Sequence, residues 1–313
     1  DLEPQTEFTE IMWAKPTEIL SRWRSYELKV APPVVTLLME VERTLERHER
    51  NMDPAADDIS SRLPGRRSIL FAHGVEVIPI KTATLPPADH TNAYMVGDPD
   101  GDFVLVDPAV RMREDMETLA TAIERHKGNL LAVIFTHSHG DHLADIGLLR
   151  EAVDAPIWGS EFTSQSVPCE RILKDGDALQ LGNQQWKVLI TPGHHPGHVC
   201  LLGDAGLIAG DMVAGIGTIL IPPQTGNMNQ YITQLKRLKA LQPHLIFPSH
   251  GPVIALPDKV FQHYIDHRTL RHQRVLDAVT LGLSTVEDIA KQAYEDTPDA
   301  HPALAVDQTL SHL

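Results

Sequence analysis

Leu130-Leu131-Ala132-Val133-Ile134-Phe135 leads directly into Thr136-His137-Ser138-His139-Gly140-Asp141-His142. The first stretch is an apolar run suited to a buried strand. The second places three imidazoles and a carboxylate between positions 137 and 142. On an extended chain residues i and i+2 point the same way, so His137 and His139 can hold one metal between them. Asp141 and His142 open onto Leu143 to Arg150, which reads as the first turns of a helix, and can turn toward a second metal. Neutral imidazoles with a carboxylate suit zinc, with iron or manganese as substitutes.

Matching side chains recur downstream. Thr191-Pro192-Gly193-His194-His195-Pro196-Gly197-His198, Ala209-Gly210-Asp211 and Pro248-Ser249-His250-Gly251-Pro252 each close an apolar strand. Strand ends at one edge of a layered fold converge, so ligands far apart in sequence can meet there. The residues alone leave His194, His195 and His198 open as the third ligand. Asp107, at the end of Phe103-Val104-Leu105-Val106, is placed either to support a ligand imidazole from behind or to cap the turn before Pro108. Cys200 reads as a small core residue.

This ordered set resembles the metallo-β-lactamase superfamily over about residues 75 to 256. The resemblance implies an α/β fold, a four-layer αββα sandwich. It assigns His137, His139 and His198 to a first metal, and Asp141, His142 and His250 to a second, with Asp211 bridging the two. It favours His198, leaving His194 as a turn residue and His195 at the mouth. A carboxylate at 211 is similar to the dinuclear enzymes of glyoxalase II type. The zinc-ligating Cys of some true β-lactamases of this fold would fall at this position, so lactam cleavage is expected as a weak side activity at most. Flavodiiron proteins use Glu where this chain has His139. Gly210 to Thr218, Pro248 to Ile254 and the tail from Tyr264 resemble the lactamase-β-like endoribonuclease group, which implies a small winged-helix-like appendage. Ser249 stands where those relatives usually carry Gly, and its hydroxyl is a candidate support for a ligand.

The rest of the chain sets limits. Its 313 residues suffice for one large domain and a smaller one, read as a helical arm and linker at 1–68, a catalytic domain at 69–256 and an incomplete helical domain at 257–313. Trp13 to Tyr26 and Pro33 to Arg50 read as amphipathic helices, the second with Val34, Leu37, Leu38, Val41 and Leu45 on one stripe. Such stripes would suit a homodimer. Asn51 to Arg67 reads as a linker. Phe8, Trp13 to Leu20, Leu28 and Pro32-Pro33 resemble the tail of a Nudix domain, but the Nudix box is absent and no Nudix activity follows. Ser284 to Glu287 has a capping-box pattern ahead of a second tail helix. A formal charge of −15 repels nucleic acid and anionic lipid in general. Two cysteines make no disulfide framework and fit a reducing cytoplasm. No apolar run of about 18 residues is long enough to span a membrane. The chain starts at Asp1 without a signal peptide and is read as a trimmed form of something longer.

Two divalent ions, zinc foremost, held about 3.5–4 Å apart would lower the pKa of a shared water. The expected activity is attack by the resulting metal-bound hydroxide on a small-molecule ester, thioester or lactone. Asp141 would orient the water and take its proton. The alternative is a single-stranded RNA endonuclease, with His195, Arg268 and Arg271 among the substrate or phosphate contacts. Seven Phe, five Tyr and four Trp offer few stacking platforms for bases.

Overall fold

The computed structural model describes residues 13–61, 68–298 and 300–313. The order is α1 (Pro16–Arg24), α2 (Pro32–Arg47), α3 (Met52–Ser61), β1 (Ile69–Ala72), β2 (Val75–Lys81), β3 (His90–Gly97), β4 (Phe103–Val106), α4 (Arg113–Arg125), β5 (Leu130–Ile134), α5 (Ile146–Ala152), β6 (Ile157–Gly159) and β7 (Arg171–Ile172). Then follow β8 (Ala178–Leu181), β9 (Gln184–Ile190), β10 (Val199–Gly203), β11 (Gly206–Gly210), α6 (Met228–Ala240), β12 (Ile246–Pro248), α7 (Pro257–Thr280), α8 (Val286–Ala293) and α9 (Pro302–His312).

The strands form a seven-stranded sheet in chain order, β1 to β7, and a five-stranded sheet ordered β12-β11-β10-β9-β8. The two sheets face each other because side chains alternate along each strand. In β4 all four residues are buried. Val104 and Val106 point to the inter-sheet core with Trp186, Val188 and Phe247, while Phe103 and Leu105 point outward to Met116 and Leu119 of α4. On the other side Leu189, Leu207 and Ile246 meet Tyr231 and Leu235 of α6 and Phe261 of α7. The result is helix, sheet, sheet, helix, the four-layer α/β sandwich expected. β8 and β9 form the expected hairpin about Gly182, whose φ of +60° favours glycine.

The ends depart from expectation. Along α2, Val35 is buried while Val34 and Leu37 are exposed. The packing face is Val35, Leu38 and Met39, set against Leu20, Trp23 and Leu70. Part of the expected linker is helical, over Met52–Ser61. Pro54 sits in that helix's first turn, where its missing N–H removes no intrahelical bond. The remainder of the linker, 62–67, and Phe8 of the Nudix-like stretch lie outside the described residues. The tail's second helix is capped by Thr285, which accepts from Asp288 N, one residue beyond the expected Ser284. Among the described residues the tail holds three helices and no strand, and no helix is long and apolar enough to cross a membrane.

The tail carries a pH dependence of its own. His312 is buried, and neither ring nitrogen has a hydrogen-bond partner. Burial, reinforced by Arg268, His272, Arg271 and His267, pushes its pKa down to about 3. The unfolded chain therefore takes up a proton below about pH 6.5 that the folded chain refuses until about pH 3, so stability falls as pH drops through that window. For this one group the loss between pH 7.5 and 5 is about 2 kcal/mol. Urea unfolding of His312→Phe should show that much less acid sensitivity than the parent chain.

Candidate metal centre

β5 delivers Thr136 and His137 to the C-terminal edge of the first sheet, where the chain turns through 138–145. Asp107 has φ +45° and is buried. It accepts from Thr136 N at 2.7 Å, from Thr136 Oγ1 at 2.6 Å and from His142 Nδ1 at 2.9 Å. One carboxylate thus ties the end of β4 to the start of the motif and orients an imidazole.

Three ring nitrogens converge beside it. His137 Nε2 lies 3.0 Å from His139 Nδ1 and 3.2 Å from His194 Nε2, and His194 Nε2 lies 2.9 Å from His139 Nδ1. Nitrogens bound tetrahedrally to one zinc at about 2.0–2.1 Å stand about 3.3 Å apart, close to this spacing. A second group consists of Asp141, His142 and His250. His250 Nε2 is 3.4 Å from Asp141 Oδ2, and His142 Nε2 is 4.0 Å from Asp141 Oδ1. Asp211 stands between the groups. Its Oδ1 is 3.4 Å from both His142 Nε2 and His250 Nε2, and its Oδ2 is 3.4 Å from His194 Nε2.

The outer nitrogens are committed elsewhere. His194 Nδ1 donates to Leu220 O at 2.7 Å, and His250 Nδ1 to His90 O at 3.0 Å. His137 Nδ1 pairs with Thr136 Oγ1 at 3.0 Å. Donation from Nδ1 leaves the Nε2 lone pair facing the centre, the tautomer a metal requires. His142 Nε2 and Asp211 Oδ1 are buried without a hydrogen-bond partner. Orphaned buried groups of this kind suit a cation as their partner, so the residues fit a pair of divalent ions.

Electrostatics agree. Burial pushes His137 well down and His194 to about 4, which favours neutral imidazoles. Burial would also lower His142, but Asp211 and Asp107 outweigh it and hold that ring well above the usual range. Burial likewise opposes the charge on His250, yet the Asp141 and Asp211 carboxylates, each 3.4 Å from its Nε2, raise it to about 10. The two carboxylates demand positive charge from whatever sits between them. Asp141 is itself held well below the usual range: burial raises it, and hydrogen bonding to His250 and the charge of His142 reverse that.

Several expectations need correction. His198 does not face the cluster. Its Nδ1 pairs with Thr191 Oγ1 at 2.7 Å, and its Nε2 accepts from Asp211 N at 2.9 Å, so both nitrogens are engaged in holding strand ends together. Thr191 N donates to His198 O, which continues the β9–β10 pairing by one residue beyond the strands. Gly210 makes room for it, since a Cβ there would stand 2.4 Å from His198 Nε2. His194, read as a turn residue, is the imidazole that arrives. No signal in sequence singles it out, since His194 and His198 each follow a glycine, Gly193 and Gly197. His195, expected at the mouth, is buried and pairs with Ser138 Oγ at 3.1 Å. Ser249 is tied through its backbone, donating to Gly210 O and accepting from Asn92 N. Cys200 is a core residue whose thiol burial pushes up to about 12.

Arg268 and Arg271, expected among the substrate or phosphate contacts, are 2 % and 3 % exposed. Arg268 donates to Gln308 Oε1, Thr218 Oγ1 and Ile219 O, and Arg271 to Ala293 O, Asp296 Oδ1 and Thr297 Oγ1. Neither is free to take a phosphate.

Over the clusters lies a cavity of about 440 Å³. His139, Asp141, His194, Asp211 and His250 lie among its lining. One wall is Thr84 to Ala88, and the other runs from Ile216 to Leu220 with Pro222. Among the described residues Arg111 is the one Lys or Arg side chain lining it, and it donates to Gly140 O.

The metallo-beta-lactamase superfamily model matches residues 86–250. A beta-lactamase-like protein 2 homolog of Caenorhabditis elegans is 26% identical over 217 residues, covering 66% of this chain and 72% of that protein. A hydroxyacylglutathione hydrolase of Bdellovibrio bacteriovorus is 28% identical over 171 residues, 52% of this chain and 67% of that one. An atrochrysone carboxyl ACP thioesterase of Aspergillus fumigatus is 25% identical over 192 residues, covering 60% and 59%. A crystal structure of a beta-lactamase domain protein from Burkholderia ambifaria shares the fold, with TM-score 0.65 at 22% identity over 82% of this chain and 89% of that one. With the family model spanning more than half of its length and the four layers in place, this chain belongs to the metallo-beta-lactamase superfamily and is one of its hydrolases.

Proposed function

We propose that this chain is a dinuclear hydrolase of small-molecule esters or thioesters, with zinc as the metal. His137, His139 and His194 would hold one ion, and Asp141, His142 and His250 the other, with Asp211 shared. The observation that carries this reading is Asp211, whose two carboxylate oxygens each face a different cluster at 3.4 Å. When bound, a pair of divalent ions lowers the pKa of water and polarises a carbonyl oxygen.

The chain's own residues supply the rest. Asp141 Oδ2 is turned to His250, which leaves Oδ1 to orient the attacking water and take its proton. Its side chain is 20% exposed against 9% for Asp211, so Asp141 is the carboxylate that meets substrate and solvent. Asp107 and Leu220 O keep His142 and His194 in the orientation that presents Nε2. Leu85, Pro86, Pro87, Ile216 and Ile219 give an apolar slot for an acyl chain, and Arg111 sits beside it as a partner for an anionic group. Relatives named as a thioesterase and as a hydroxyacylglutathione hydrolase support the choice of a thioester.

The test is a panel of esters, thioesters and lactones, with a lactam and single-stranded RNA as comparison arms, run on the zinc-loaded full chain. We expect thioester or ester turnover that a chelator abolishes and that falls about 10²–10⁴-fold in Asp141→Ala. RNA cleavage without turnover of any small acyl substrate would overturn this reading.

A further inference from the structure

Leu220 lies in a long connection, 211–227, between β11 and α6, which contains no helix or strand. Loops of this length within a domain need outside support to adopt one shape. This one has to be held, because its Leu220 carbonyl accepts the Nδ1 proton of His194 at 2.7 Å. An imidazole that donates from Nδ1 offers Nε2 as acceptor or ligand, so the place of that carbonyl decides which face of His194 meets the cluster.

The support comes from the C-terminal tail, about ninety residues further along the chain. The Gln308 side chain donates from Nε2 to Ile221 O at 2.9 Å and accepts at Oε1 from Ile221 N at 3.3 Å. It therefore pairs with the main chain of Ile221 as a neighbouring strand would. Ser311 Oγ donates to the same Ile221 carbonyl at 2.6 Å. Arg268, buried on α7, donates to Gln308 Oε1 at 3.0 Å and to Ile219 O, and so grips the other side of Leu220. A buried guanidinium is costly unless hydrogen-bonded; the two terminal nitrogens of Arg268 are bonded, its Nε is not, and the partners all belong to this loop or to Gln308. Leu220 is thus bracketed by two residues whose main chains the tail holds.

We propose that Gln308, backed by Arg268 and Ser311, is a positioning residue for the metal centre: by fixing Ile219 and Ile221 it sets the Leu220 carbonyl that selects the His194 tautomer. The inference rests on His194 being a metal ligand. A tail that merely anchored itself to the domain would change stability and leave the imidazole unaffected.

The experiment uses the full chain with zinc as the probe. Zinc affinity is measured by competition with a chromophoric chelator, and the histidine ring protons are followed by ¹H–¹⁵N NMR. Gln308→Leu should weaken binding of one zinc about tenfold, as loss of a ligand's supporting partner does, and should shift the His194 Nδ1–H signal. Gln308→Glu, which keeps an acceptor for Arg268 and Ile221 N, should recover most of the affinity. If Gln308→Leu does not fold, Ser311→Ala takes its place and should shift the same signal. Unchanged affinity and an unchanged ring signal in a folded variant would overturn the proposal. His194→Ala separates the two ideas. If it leaves zinc binding intact, the ligand assignment fails and the proposal with it; if it weakens binding while Gln308→Leu does not, only the positioning role fails.

Discussion

Asp211→Asn should strip the centre of its shared anion and reduce bound metal from two ions per chain toward one or none. The geometry explains why so small a change should have so large an effect. The two Asp211 oxygens serve different clusters, and among the described residues no other carboxylate stands between them. An amide keeps the volume but offers one acceptor in place of two, and it turns N–H groups toward imidazole nitrogens that need a negative neighbour. His142 and His250 owe their raised pKa values in part to this carboxylate, so its loss removes the charge that draws cations in. Turnover should fall on the order of 10³-fold or more, the scale on which acid–base and electrostatic contributions are lost together. Metal analysis of the purified variant, read beside steady-state rates, decides the matter. Two retained ions with near-parental turnover would contradict a bridging role.

The second large effect is a contrast between two histidines four positions apart. His194→Ala should lower metal affinity and turnover by about 10²-fold or more, because it removes an imidazole that faces the centre. His198→Ala should act mainly on stability. It leaves the Asp211 N–H without its partner in a buried site, at a cost of about 1–3 kcal/mol, and leaves the Thr191 hydroxyl only Cys200 Sγ at 3.3 Å. Its effect on metal should be the smaller one, reaching the site only through the main chain of Asp211. Thermal unfolding without metal, set against a zinc titration, separates the two. The reverse pattern, with His198→Ala losing metal and His194→Ala losing only stability, would restore the ligand set expected from sequence.

That contrast marks how far the sequence could be read. Local order was legible because it follows from short-range rules. The apolar run at Leu130–Ile134 is a strand, and the alternation in β9 sorts Trp186 and Val188 to the inter-sheet core and Leu189 to the helices. The cluster beginning at His137 was legible because four metal-binding side chains so close together have few other uses. The choice among His194, His195 and His198 was not. It depends on which ring nitrogen finds a partner across the sheet, and those partners are Thr191, Ser138, Asp211 N and Leu220 O. The α7 arginines misled for a similar reason. Helical spacing says which residues share a face, but not what covers that face, and here loop 211–227 and the α8–α9 pair cover it.

The amino-acid sequence by itself determined strands and the kinds of ligand atom this chain brings, because periodicity and side-chain chemistry are local properties; the layers came from the family resemblance. Only the tertiary structure decided which imidazole faces the centre and which closes a strand end. An imidazole has two nitrogens, and the long-range hydrogen bond made by one of them settles where the other points.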